Sequence, residues 1–270
     1  MKELICSNFS LNYEKKPLIM GILNVTPDSF SDGGKFNSVK EALKHTEKMI
    51  SDGADIIDIG AVSTRPFSDK VSEDEEWSRL EAVLTEIKRN FSVPVSVDTV
   101  SPSVAEKSLF SGADIINDVS GVFSSEMADV IKKYSCGWVV MHGGISVRKT
   151  EAVVDFSDGI VNDVNRFFSD MIRKARDFGI DTKRLCLDAG FGFSKTNAQN
   201  TELLMNFEKL ESEGLPVLCA LSRKRFISDI SGEDDTERLV GTLAANLLAI
   251  KKGAAMIRVH DVAAHKKAIG

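Results

Sequence analysis

The chain has 270 residues, 43% of them apolar, and a formal net charge of −6 at pH 7. That length fits one large domain or two small ones, and the apolar share can bury a full core. A net acidic chain repels nucleic acid and anionic membrane, so an anion site on it must be a local cluster of cations.

The N-terminus, MKELICSNFSLNYEKK, lacks the long apolar core of a signal peptide, and no run approaches the ~18 apolar residues of a membrane span. Residues Met1 to Lys16 predict a small hairpin closing the base of the fold. From there the chain alternates. Apolar runs of strand length lie at Leu18–Leu23, Asp55–Ile59, Pro94–Val97, Asp114–Ile116, Trp138–Met141, Arg184–Leu187, Pro216–Leu221 and Ala255–Val259. Between them, helical apolar spacing covers Val39–Ile50, Glu73–Ile87, Val104–Phe110, Met127–Tyr134, Ile160–Phe178, Thr201–Leu210 and Leu239–Ile250. Strands alternating with helices predict right-handed crossovers and a parallel sheet. Three related stretches begin with Gly53, Gly112 and Gly253, each stopping a helix just before a strand. There is no long linker or composition break. The pattern predicts an α/β fold, a single (β/α)8 TIM barrel over residues 1–270 with a short N-terminal extension. A doubly wound open sheet would want a Gly-rich phosphate fingerprint after the first strand, and the chain has none. The cysteines Cys6, Cys136, Cys186 and Cys219 show no metal-ligand spacing, which predicts reduced thiols and a cytoplasmic protein.

Ligands bind at the C-terminal ends of barrel strands. There the runs give way in turn to Asn24, Ser63-Thr64-Arg65-Pro66, Asp98-Thr99, Asn117-Asp118, Met141-His142, Asp188, Ser222-Arg223-Lys224-Arg225, and Arg258 with His260. Side chains alternate along a strand. If the valines of Val95-Ser96-Val97-Asp98 face the helices, Ser96 and Asp98 face the barrel axis. The same rule turns Asn117, Cys186, Asp188, Arg258 and His260 inward. Singly, each would be an ordinary ion-pairing or capping residue. Together they place two carboxylates, an amide, an arginine and a histidine at one mouth. Ser222 has the position of a helix N-cap. Three cations from Arg223 to Arg225 oppose the dipole of that helix start, so something negative should offset them. His142 reads as a core or supporting histidine, and His45 and His265 as surface residues.

The first strand feeds a loop rich in turn formers with one aromatic, Phe30. It belongs to a set of strings: MGILNVTPDSFSDGG (Met20–Gly34), STRP (Ser63–Pro66), SVDT (Ser96–Thr99), INDVSG (Ile116–Gly121), GFGF (Gly190–Phe193), LSRK (Leu221–Lys224) and IRVHDV (Ile257–Val262). In this order, from about Leu18 to Val262, they resemble the dihydropteroate synthase family of folate biosynthesis. The resemblance implies condensation of (7,8-dihydropterin-6-yl)methyl diphosphate with 4-aminobenzoate, releasing diphosphate by a dissociative substitution. It assigns the pterin to Asp98, Asn117, Asp188, Lys224, Met141 and Phe193, and the diphosphate to Asn24, Thr64, Arg258, Val259 and His260. It makes Asn24 a ligand of Mg2+, and gives 4-aminobenzoate to Phe30, Pro66, Phe193, Ser222 and Lys224. Asp98, Lys224, Asp32 and Arg65 would act in catalysis, the last two from closing loops. It also implies a homodimer and sensitivity to sulfonamides.

The chain departs from the family pattern at Ala61-Val62, Ala189 and Arg225, and in the stretch Gly143–Ser146. Two rival readings share part of the pattern. A pterin-dependent methyl-transferring barrel would use Asp98, Asn117 and Asp188 but would not need Arg258 and His260. An aldolase-type barrel would use Lys224 as a Schiff-base nucleophile.

Overall fold

The computed structural model describes residues 2–25, 34–62, 71–143, 156, 158–232 and 234–270. A two-stranded antiparallel hairpin comes first, β1 (Glu3–Cys6) and β2 (Phe9–Asn12). Eight parallel strands follow: β3 (Leu18–Asn24), β4 (Ile56–Gly60), β5 (Val95–Asp98), β6 (Ile115–Asp118), β7 (Gly137–Met141), β8 (Leu185–Asp188), β9 (Val217–Cys219) and β10 (Met256–Val259). They pair in chain order, and β10 returns to β3 to close the barrel. The helices α1 (Gly34–Ser51), α2 (Glu73–Asn90), α3 (Pro102–Phe110), α4 (Ser125–Tyr134), α5 (Ile160–Phe178), α6 (Asn197–Met205), α7 (Arg225–Ser231), α8 (Asp235–Lys251) and α9 (Val262–Ile269) follow or join them. Among the described residues no helix is long and apolar enough to cross a membrane.

The expected alternation is present, and the differences lie at element ends. Helix α6 starts at Asn197 rather than Thr201, because Thr196 and Gln199 form a reciprocal capping box. Helix α8 starts at Asp235 rather than Leu239 for the same reason, with Asp234 and Glu237 as the box. In both cases cap chemistry extends the helix beyond its apolar stripe. Strand β9 is shorter than expected, since its neighbours pair with it only from Val217 to Cys219.

Strand alternation divides the core in two. Ile57, Ile59, Val95, Val97, Ile116, Trp138, Leu185, Leu187 and Ile257 face the helices and pack there with Leu80, Phe168 and Phe191. Leu18, Met20, Ile56, Ile115, Val139, Cys186, Leu218 and Met256 fill the barrel interior. Leu4 and Cys6 of the hairpin join this inner cluster and plug the base. A Cβ on Gly137 would sit 2.9 Å from Cys6 Cβ, so the plug needs a glycine there. All four cysteines are free and buried. Burial pushes the Cys6 and Cys136 thiols up to about 12, which keeps them protonated. Above the apolar plug the axis turns polar: Asp58, Ser96, Asn117 and Asp188 are each at most 3% exposed. Buried polar groups are costly unless they are hydrogen-bonded, so this layer marks the end that carries chemistry.

Candidate active site

The rim is built by register. Asn24 pairs with Gly60, Gly60 with Asp98, and Asp98 with Asn117, so four adjacent strands present one row at the same height. Across the barrel, Met141 pairs with Asp188. Gly60 leaves a gap in the row: a Cβ there would lie 3.8 Å from Asn24 Oδ1 and 3.9 Å from Asp98 Oδ2. Asn24 itself is exposed at the strand end.

Arg258 enters this row from β10. Its Nε donates to Asp58 Oδ2 at 2.6 Å and its Nη2 to Asp98 Oδ2 at 3.1 Å. Burial alone would weaken the charge on Arg258, but Asp58 and Asp98 outweigh it and hold the guanidinium pKa above its ordinary value. Asn117 Nδ2 donates to Asp58 Oδ2 at 3.2 Å. Burial pushes the Asp98 carboxyl up to about 7; Arg258 opposes the shift and Asp58, Glu76 and Asp118 add to it. Burial also raises Asp188, against the pull of Lys224.

The β8 end is shaped by Gly190. At φ +66 it turns the chain so that its N–H donates to Asp188 Oδ1 at 2.8 Å. A Cβ there would meet the His142 carbonyl at 1.9 Å. Lys224 Nζ donates to the Phe191 carbonyl and lies 4.6 Å from the centre of the Phe193 ring, within cation–π range. Phe193 packs with Val119 and Met141 in a small apolar cluster separate from both barrel cores. The result is one apolar wall beside acids and a cation.

Ser222 differs from its expected part. The N-cap of α7 is Lys224, with no side-chain cap bond. Ser222 Oγ instead accepts from the His260 backbone N–H at 3.2 Å and lies 2.9 Å from His260 Nδ1. A Ser222 hydroxyl that donates to Nδ1 corresponds to the imidazole tautomer with its proton on Nε2. The expected negative partner at this helix start comes, for Arg223, from the protein itself. Arg223 forks onto Asp261, with bonds of 2.9 and 3.2 Å, so the protein supplies its counter-charge. Val259 is fully buried within β10.

His142 is 4% exposed, between the Phe156 and Phe167 rings, with Asp163 Oδ2 at 2.8 Å from its Nε2. That agrees with a core histidine. His265 corrects the surface expectation: it is 1% exposed, bonded to Asn246 Nδ2 and to the Asp261 carbonyl, and it locks α9 onto α8. The charge pattern around His265 hides this, because only its helix spacing from Asp261 could reveal the inward face.

The structure therefore brings Asn24, Asp98, Asn117, Met141, Asp188, Phe193, Ser222, Lys224, Arg258 and His260 to the same strand ends. Phe30, Asp32, Thr64, Arg65 and Pro66 lie outside the described residues. The sequence reading missed Asp58, which is fully buried beneath Arg258. The signal was available, since Ile57-Asp58-Ile59 has the same alternation that turned Asp98 inward. Among the described residues no three His, Cys, Asp or Glu side chains group as a metal cage. Asn24 Oδ1, a neutral oxygen beside the Gly60 gap, suits a hard cation that arrives with its own phosphate and water ligands.

Three comparisons bear on this geometry. The sequence profile of pterin-binding enzymes matches residues 20–260. The dihydropteroate synthase of Bacillus subtilis is 44% identical over 254 residues, covering 94% of this chain and 86% of that protein. The structure of Xanthomonas albilineans dihydropteroate synthase with 4-aminobenzoic acid superposes with a TM-score of 0.90 at 39% identity, covering 99% of this chain and 95% of that one. The same enzyme in complex with 7,8-dihydropteroate gives 0.87 at 38% identity, covering 99% and 96%. The chain belongs to the dihydropteroate synthase family of pterin-binding enzymes.

Proposed function

We propose that the chain joins 4-aminobenzoate to (7,8-dihydropterin-6-yl)methyl diphosphate, forming 7,8-dihydropteroate and diphosphate. The observation that carries this reading is the meeting of Asp98 and Asp188 with Arg258, Lys224 and His260 at one rim. A pterin presents a flat, guanidine-like edge of N–H donors, and carboxylates accept from such an edge in pairs. Asp98, Asn117 and Asp188 provide the acceptors, Lys224 the donor for the ring carbonyl, and Met141 and Phe193 the apolar wall. The diphosphate falls to Arg258 and to the Nε2–H of His260, with Asn24 and the Val259 backbone beside them.

The C–O bond to diphosphate breaks first, and its electron pair leaves with the phosphate oxygen. The cation left on the methylene is delocalised into the pterin, next to Asp98. The aniline nitrogen then forms the C–N bond and loses a proton to solvent. An aniline is nucleophilic at neutral pH, so no general base is needed. Preorganised charges of both signs at the positions where charge develops supply the rate enhancement. Asn24 would hold Mg2+ through Oδ1, and when bound the metal would neutralise part of the leaving group's charge. For 4-aminobenzoate we assign Phe30, Pro66, Phe193, Ser222 and Lys224, with Asp32 and Arg65 closing over it. An arylsulfonamide with the same amine and an acidic para substituent would compete there, and two chains would associate as a homodimer.

The test is release of diphosphate by the purified chain with Mg2+, followed with both substrates and with each omitted. Release that needs both, with 7,8-dihydropteroate identified by mass, supports the reading. Release without 4-aminobenzoate at the same rate overturns it. Trapping of a carbonyl substrate on Lys224 by borohydride would favour the Schiff-base alternative instead.

A further inference from the structure

Asp58 has no contact in the substrate assignments above, yet it lies at the centre of the polar layer. Its neighbours Ile57 and Ile59 face the helices, so the carboxylate faces the axis, fully buried. A charge in that position is costly unless it is paired and hydrogen-bonded. The pairing it makes is unusual. An arginine normally forks two N–H groups onto one carboxylate. Here Arg258 gives Nε to Asp58 and Nη2 to Asp98, so the guanidinium bridges two acids. Asp58 Oδ2 takes both Arg258 and Asn117, and among the described residues Asp58 Oδ1 is buried without a partner. An ion pair selected for stability alone would use both oxygens.

The chemistry of a carboxylate has two consequences here. It has no proton to give, so Asn117 must turn its NH2 group toward Asp58. The Asn117 carbonyl then faces away, and its Oδ1 is buried with no donor among the described residues. That is an acceptor held ready for an N–H. Arg258, gripped at Nε, has its plane fixed along the line from Asp58 to Asp98, and the rest of the fork is left for the rim.

We propose that Asp58 is a positioning residue that sets the amide orientation of Asn117 and the plane of Arg258, and so keeps the heterocycle and diphosphate halves of the site in register. This rests on the functional reading above. Asp58 touches neither substrate and acts through the two side chains it holds.

The test uses Asp58→Asn, which keeps the shape but removes the charge and adds an NH2 that lets Asn117 rotate. Three quantities are read: binding of 6-hydroxymethylpterin, which reports the Asn117 half; binding of inorganic diphosphate with Mg2+, which reports the Arg258 half; and KM for each substrate. The expected result is at least tenfold weaker binding of both probes and a KM for the pterin diphosphate raised to match, with the 4-aminobenzoate KM within twofold of wild type. In an Asn117→Ala background, Asp58→Asn should weaken 6-hydroxymethylpterin less than twofold further. Binding of both probes within twofold of wild type, or fully additive losses in that background, overturns the proposal. If Asp58→Asn does not fold, Asp58→Ser is measured in the same way. A wild-type chain that binds neither probe would instead overturn the functional reading itself.

Discussion

Replacing Arg258 with methionine removes the only cation bonded to Asp58 and Asp98 among the described residues, while filling most of its volume. Their side chains are 0% and 11% exposed, and that of Arg258 is 18% exposed. Taking one partner from a buried ion pair typically costs about 3–5 kcal/mol, because the remaining charge is left uncompensated. Asp98, whose carboxyl pKa burial already raises, can lessen this by taking up a proton, so the penalty must depend on pH. Asp98 is already pushed up to about 7 by burial, with Arg258 pulling it down, so its pKa rises further in the variant. An acid whose folded pKa exceeds its unfolded value gives stability that is present below the unfolded pKa and lost as pH rises through the folded one. The penalty of Arg258→Met is therefore largest above pH 7 and shrinks toward pH 5. Urea unfolding of wild type and variant at pH 8 and pH 5 measures it. The expected loss is about 3–5 kcal/mol at pH 8, and smaller at pH 5 by at least one pKa unit's worth, about 1.4 kcal/mol. A loss under about 1 kcal/mol at pH 8, or equal losses at both pH values, would show that the three groups are not one electrostatic unit.

Gly190→Ala should destabilise by about 3 kcal/mol or more: ~1–2 kcal/mol for a left-handed residue and the remainder for lost bonding to Asp188, as its Cβ drives into the His142 carbonyl. Thermal unfolding checks this, and a change under about 1 kcal/mol contradicts it. The kcat/KM for the pterin diphosphate should fall on the acid side through an apparent pKa near 7, as Asp98 in the free enzyme takes up the proton that blocks it as an acceptor. A profile flat from pH 5 to pH 8 would remove Asp98 from that role. Ser222→Ala removes the hydroxyl beside His260 Nδ1 and should weaken inorganic diphosphate about tenfold, while His260→Ala in the same background adds little; independent losses would separate the two residues.

What the sequence made visible follows from periodicity. The eight apolar runs and their parity put Asp98, Asn117, Asp188 and Arg258 on the axis before any coordinates. The same parity applied to Asp58 was passed over, because a single acid inside an apolar run resembles strand filler. Contacts far apart in sequence had no local signature. Neither Ser222 on His260, nor Arg223 on Asp261, nor His265 against Asn246 can be read from spacing. Helix starts were misjudged where apolar spacing was weighed above the Thr196–Gln199 and Asp234–Glu237 caps, which were local and readable.

The central claim is that one rim holds a flat heterocycle with its acids and a diphosphate with its cations as parts of a single ligand. Displacement titration tests it directly: the chain is preloaded with both 6-hydroxymethylpterin and inorganic diphosphate, then titrated with the pterin diphosphate. The account predicts that both probes leave together, with one equivalent bound. Release of only one probe, with the other retained at saturation, would contradict it.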